Sequence, residues 1–263
     1  MLQKDILCAT DLTPTSDQAV RAAITIADRA KTRVTLLHVL NRSEQRDRDG
    51  VLAAMNDQVV RGEASGRVEH KLLDGDFMKR IAEESGQGHS LLVLATHGPH
   101  GLRQNLFGAD ILKLVRHAAI PSLVVQDGLD LDTLLRRIIL PVAAHSDIDR
   151  LLDMVIALAT VFAADVHVYQ LIRPGESPSP ELMANKGKML GRLTEAGVRH
   201  EEVNEPSTSF SIGFAEPTIR YAERVGAGAI AIMSHASDEY RYIADAEKER
   251  LLANTARIPV LCA

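Results

Sequence analysis

The sequence contains no tryptophan, and aromatic residues fill only 3% of its 263 positions. So few rings argue against a platform on which nucleic-acid bases could stack. Cysteine is nearly as scarce. Cys8 and Cys262 stand far apart and form no metal-binding spacing. They fit buried strand thiols in a reducing compartment better than a disulfide scaffold. Positive charge is not in excess either, since 30 Lys plus Arg face 35 Asp plus Glu for a net charge of −5. That balance argues against nucleic acid or an anionic membrane as a partner. No stretch of 18 consecutive apolar residues occurs, so no membrane span is expected. The start, Met1-Leu-Gln-Lys-Asp5, lacks the apolar core and cleavage site of a secretory signal. The expected location is the cytoplasm.

Familiar catalytic and phosphate-binding signatures are missing too. There is no G-x-x-x-x-G-K-[ST] loop, and no glycine turn follows the first strand-like run. No nucleophile elbow, metal cluster or poised acid–base pair stands out, so a non-enzymatic protein is expected. What remains is ordinary globular composition, 46% hydrophobic and 25% charged. The length suggests about two domains.

Apolar periodicity supplies the organisation. In the first half, strand-like runs at Ile6–Thr10, Val34–Leu40, Val68–Leu73, Leu91–Ala95 and Leu123–Val125 alternate with helical spacing. Val20, Ala23, Ile24 and Ala27 mark one helix, and Val51, Met55 and Val59 a second. Met78–Glu84 and Ile111–Val115 mark two more. Thr15 stands three residues before Gln18, the spacing of a capping box. The second half repeats the order, with strands at Arg137–Val142, Val166–Ile172, Arg199–Val203, Ala229–Met233 and Ile258–Cys262. Its helices are a long one capped by Ser146 and running through Ala163, then Glu181–Ala196 and Pro217–Val225. Alternating strands and helices imply βαβ units and parallel sheets.

The two halves can be overlaid. An offset of 132 places Lys4-Asp-Ile-Leu7 on Arg136-Arg-Ile-Ile139, and 138 places Thr96-His97 on Ser234-His235 and Ile120-Pro121 on Ile258-Pro259. Agreement at both ends reads as duplication of a whole domain. The expected domains are 1–127 and 133–263, joined by the short acidic stretch Gly128 to Asp132. Two such domains can pair within one chain as an internal pseudo-dimer, and a homodimer of whole chains is compatible with this.

In an open parallel sheet, ligands sit beyond the carboxyl ends of the strands, at the point where strand order reverses. The loops after the first and fourth strands therefore matter most. Asp11, at the end of the first strand, can accept hydrogen bonds from an adenine amino group or a ribose hydroxyl; equally, it can cap its own turn. His97 and His100 flank Gly98-Pro99 without a third ligand nearby, so no metal is expected. Arg103 reads as a solvated surface residue rather than a phosphate contact.

Five features together resemble the universal stress protein family in its tandem form. They are Asp11 after the first strand, His38-Val39 closing the second, Thr96-His97-Gly98 after the fourth, nine residues leading to Gly108, and Arg116-His117-Ala-Ala-Ile-Pro121 before the fifth. The resemblance implies two open-twisted, five-stranded parallel α/β domains of the Rossmann-like, adenine nucleotide alpha hydrolase-like type. It also implies binding of ATP or AMP, as in many members. The family's nucleotide pattern is G-x-x-G, nine residues, then G and Ser or Thr. Carried over, its positions are Ala95, Gly98, Gly108 and Ala109, so two of the four residues are kept. Asp11 matches the acid that contacts adenosine, Ala9 and Val39 match positions lining the adenine pocket, and Leu94 matches a residue beside the base.

Glycines let backbone N–H groups approach phosphate oxygens, and a helix start favours negative charge. Ala109 removes a hydroxyl donor, a loss of roughly tenfold to a hundredfold in phosphate affinity. Asp110, in the first turn of the fourth helix, can take the electrostatic place of a phosphate. The expectation is a first-domain pocket that favours AMP or adenosine over ATP, or stays empty. The alternative is a ligand-free protein acting only through contacts with protein partners that the sequence does not name. In the second half Asp11 maps near Ala143-Ala144, and Ala95, Gly98 and Gly108 map to Met233, Ala236 and Ala246. The loop there carries Asp238, Glu239 and Asp245, which would repel phosphates. The second domain is expected to be degenerate, a packing partner.

Overall fold

A computed structural model of the chain describes residues 2–62, 67–96, 110–175, 177–207, 213–236 and 244–263. The chain divides into two compact units, Met1–Leu131 and Asp132–Ala263. The first contains β1 (Ile6–Thr10), α1 (Pro14–Ala30), β2 (Val34–Leu40), α2 (Arg48–Arg61), β3 (Val68–Asp74), α3 (Phe77–Ser85), β4 (Leu91–Thr96), α4 (Ile111–His117) and β5 (Ser122–Gln126). Its strands lie in the order β3-β2-β1-β4-β5. All the pairs are parallel, with Cys8 of β1 beside Leu36 of β2 on one side and Val93 of β4 on the other.

The second unit contains β6 (Arg137–Pro141), α5 (Asp149–Phe162), β7 (Asp165–Ile172), α6 (Pro180–Glu195), β8 (His200–Pro206), α7 (Ala215–Arg224), β9 (Ala229–Ile232), α8 (Ala244–Leu252) and β10 (Val260–Cys262). Its order, β8-β7-β6-β9-β10, repeats that of the first unit and is again parallel. In each unit the chain winds outward from a central strand and then returns to that strand's other side. This creates a crevice at the carboxyl ends of β1 and β4, and again of β6 and β9.

Burial follows the sequence pattern. The runs ILCAT, VTLLHVL, LLVLAT and SLVVQ are buried at every position, as strands covered by helices on both faces must be. β3 (VEHKLLD) and β8 (HEEVNEP) carry charge and have no fully buried position, which suits the outer strand of a sheet. The duplication reaches down to single turns. Lys31 after α1 and Ala163 after α5, 132 residues apart, both adopt the left-handed conformation at φ 58° and 49°. Each N–H returns to carbonyls of the helix it closes.

Two capping expectations are corrected. Thr15 does not cap α1: Pro14 takes the first helical position, where a fixed φ and a missing N–H carry no penalty. The flanking residue is Thr13, and Thr15 sits inside the first turn, where its hydroxyl donates to Asp127 Oδ2 (3.0 Å). Ser146 does not cap α5, which begins later, at Asp149. Asp147 Oδ1 accepts from the Asp149 N–H at 2.8 Å, so a carboxylate performs the expected hydroxyl's task. Helix α8 was not anticipated. Its buried residues, Ala244, Lys248, Leu251 and Leu252, do have helical spacing, but a lysine holds one of the core positions.

Candidate functional site

At the crest of the first unit, the carboxyl ends of three adjacent strands bring several candidate residues together. Ala9 of β1, Val39 of β2, and Leu94 and Ala95 of β4 are all buried. Asp11 follows β1 directly. Thr13 donates both its backbone N–H (3.1 Å) and its hydroxyl (2.6 Å) to Asp11 Oδ1. The second oxygen, Oδ2, has no hydrogen-bond partner among the described residues. The turn is tight enough that Leu12 adopts φ 62°, and Thr10 Oγ1 receives its N–H at 2.9 Å.

Asp110 stands at the start of α4 and makes no side-chain cap bond. Its Oδ1 instead accepts from Lys113 Nζ at 2.8 Å, and this pairing raises the lysine's pKa. Gly98, Gly108 and Ala109 lie outside the described residues, as do His97, His100 and Arg103. Cys8 and Cys262 are buried thiols, and burial pushes both pKa values up, that of Cys262 to about 12.

Behind Asp11 lies a polar network that periodicity alone misses. Thr10 Oγ1 donates to Gln58 Oε1 (2.7 Å), and Gln58 Nε2 donates to Ser16 Oγ (3.1 Å) and Asp17 Oδ1 (2.7 Å). Gln58 is fully buried. It ties α2 to the end of β1 and the start of α1, and so holds the turn that presents Asp11. His38, buried at the end of β2, adds a bond between Nδ1 and the Thr10 carbonyl (2.9 Å).

The second unit contains a cavity of about 210 Å³ at the corresponding crest. Pro141 to Ala143 at the end of β6, Tyr169 to Arg173 of β7 and beyond, and Ile232-Met233 at the end of β9 form its floor. Helices α5 to α8 contribute walls, including Leu151, Leu182, Thr218 and Lys248. Ala143, where the first unit has its acid, offers only a methyl group. The Asn185 amide nitrogen of α6 pins the loop by donating to the carbonyls of Ala143 (2.8 Å) and His145 (2.9 Å). Beneath, buried Lys186 donates to Gln170 Oε1 (2.7 Å) and Asn204 Oδ1 (2.6 Å) and pairs with Glu202, whose carboxyl it holds below its ordinary pKa.

The universal stress protein family model matches residues 3–126. No curated protein matches the chain. Among solved structures, a universal stress protein from Archaeoglobus fulgidus aligns over 99% of this chain and 96% of its own, at 14% identity and a TM-score of 0.73. A functionally unknown protein from Pseudomonas aeruginosa aligns over 98% and 91%, at 18% identity and a TM-score of 0.61. A universal stress protein solved in complex with cAMP aligns over 48% of this chain and 98% of its own, at 17% identity and a TM-score of 0.40. The two full-length likenesses show that the fold extends through both units. With the family model spanning residues 3–126, the first unit belongs to the universal stress protein family.

Proposed function

We propose that the chain is a non-enzymatic, cytoplasmic stress-response protein whose first unit takes AMP or adenosine at the crest of its sheet. Asp11 carries this reading. It follows the central strand at the point where strand order reverses, and its Oδ2 faces no partner among the described residues. A carboxylate so placed can accept from the hydroxyl or amino group of a nucleoside. The preference for few phosphates follows from Asp110, whose negative charge stands where a helix start would otherwise favour an anion. The absence of catalysis is supported by the two buried thiols, whose raised pKa values deny them thiolate character at neutral pH.

A second reading draws on the same residue. Because Thr13 occupies Asp11 Oδ1 twice, the carboxylate already has a local task, and the protein can act without a ligand through protein contacts. One experiment separates the two. Chain purified without added nucleotide is denatured and the supernatant assayed for AMP and ATP, and the melting temperature is followed with millimolar AMP. Co-purified nucleotide or an upward shift supports the ligand-binding reading, since binding to the folded state alone stabilises it. The shift should vanish in Asp11→Ala and shrink in Asp11→Asn, which keeps an acceptor for Thr13. A clean supernatant with no shift leaves the ligand-free reading.

A further inference from the structure

The cavity in the second unit is bounded mainly by apolar side chains, among them Leu151, Leu182, Met189, Phe214, Ile232 and Met233. Protein interiors leave few voids larger than a water molecule, and a hollow of about 210 Å³ forfeits dispersion contacts along its lining. Its floor is held rather than slack, because the Asn185 amide bonds the carbonyls of Ala143 and His145. The polar side chains around it are already engaged within the protein. Lys186 Nζ donates to Gln170 Oε1 (2.7 Å), the Leu182 N–H donates to Ser179 Oγ (3.2 Å), and the Thr218 hydroxyl donates to the Phe214 carbonyl (2.7 Å). Lys248 and Arg173 line the cavity but have partners of their own. The Tyr169 phenol has Glu205, Arg224 and Tyr221 as electrostatic neighbours, and none of these lines the cavity, so that group sets its polar surroundings. No carboxylate lines the cavity among the described residues. What it offers a ligand is apolar surface.

We propose that this cavity binds a small neutral molecule with an apolar body, rather than an ion or a nucleotide. Size sets the scale. A dry apolar cavity of about 150 Å³ takes up one benzene ring. The 210 Å³ here therefore suits a body of about eight carbons. Pockets for larger ligands begin at roughly 300 Å³. Charge sets the class. An ionised ligand entering an apolar hollow gives up its hydration and needs a counter-charge in return, and the cationic side chains at this cavity already serve other partners. A nucleotide is too large and too highly charged, and Ala143 stands where the first unit has its acid. Ile172, 41% exposed, puts apolar surface at the mouth, where such a molecule enters.

The test uses the full chain with isotope-labelled methionine methyl groups and three probes of equal carbon count: 2-phenylethanol, phenylacetate and 2-phenylethylammonium. Met189 and Met233 line the cavity, whereas Met55 and Met78 belong to the first unit. At neutral pH, 2-phenylethanol should shift the Met189 and Met233 resonances saturably and leave those of Met55 and Met78 in place. The two ions should bind roughly tenfold more weakly or worse. Ala143→Phe sets a ring into the hollow and should weaken 2-phenylethanol by roughly tenfold or more. Unaltered Met55 and Met78 signals and a cooperative melt report that this variant folds, and the comparison of the three probes in the unaltered chain stands without it. Met189 and Met233 resonances that stay fixed up to millimolar 2-phenylethanol would overturn the site. Either ion binding as tightly as the alcohol would overturn the neutral class. AMP that displaces 2-phenylethanol in Asp11→Ala as well as in the unaltered chain would show the cavity to be a nucleotide site and overturn the proposal.

Discussion

Glu84 shows how a single side chain sets the behaviour of the first unit in acid. It is buried on α3, where its carboxylate receives Lys71 Nζ (2.8 Å) and pairs with His89 Nε2 (3.0 Å). Burial alone would raise its pKa, but the bonds to Lys71 and His89 outweigh that and hold it below the ordinary 4.5. A depressed folded-state pKa stabilises the protein above the unfolded value, and the contribution is lost as pH falls through the folded value. Glu84→Gln should therefore flatten the decline in stability between about pH 5 and pH 3. At neutral pH it should cost about 1–3 kcal/mol, because Lys71 and His89 lose a charged partner. Urea midpoints measured across that range check both effects. At this scale the sequence was partly legible. Asp11 announced itself by following an apolar strand, and the buried thiols by sitting within strands. Gln58 did not, because helical spacing pointed to Val59, whereas the neighbouring glutamine is the residue fully enclosed. Lys248 and Lys186 were hidden for the same reason: apolar periodicity assigns a lysine to solvent, and only packing reveals one that is enclosed.

Among the elements, two backbone positions set opposite expectations. Gly228, just before β9, lies against the segment leading into β6. Its N–H donates to the Arg137 carbonyl (2.9 Å), and an added methyl would overlap the Thr133 carbonyl oxygen and meet Leu135 N at 2.7 Å. Gly228→Ala should cost about 2–4 kcal/mol, because backbone rather than a flexible side chain must move. Ala163 stands in the left-handed conformation at φ 49°. That geometry costs a non-glycine residue about 1–2 kcal/mol, against about 0.4–1 kcal/mol of chain entropy lost with glycine. Ala163→Gly should stabilise by about 0.5–1 kcal/mol. Denaturant titrations of the two variants should move in opposite directions. The elements themselves were readable from apolar runs, because strands buried on both faces leave an unbroken signature. The caps were not, since Pro14 and Asp147 supplied local solutions that competed with the expected Thr15 and Ser146. α8 leaves no apolar signature because charge dominates its sequence.

The molecule as a whole carries one strand order twice, but its two crests have diverged in chemistry. The first retains an acid after its central strand and a second acid at the start of α4. The second replaces the former with Ala143 and encloses a largely apolar hollow beside Lys248 and Tyr169. The duplication was visible in the sequence as matched ends at offsets of 132 and 138. The divergence was visible only as loss. Missing glycines and an absent acid marked what the second half no longer has, and gave no hint of what the space became. Its walls come from helices and strands that are distant in sequence. Isothermal calorimetry of AMP and ATP on the full chain, repeated on Asp11→Ala, tests the central claim most directly. The account predicts one AMP per chain, weaker ATP, and at least tenfold weaker AMP in the variant. Two equivalent nucleotides per chain, ATP bound more tightly than AMP, or affinity unaltered by Asp11→Ala would contradict it.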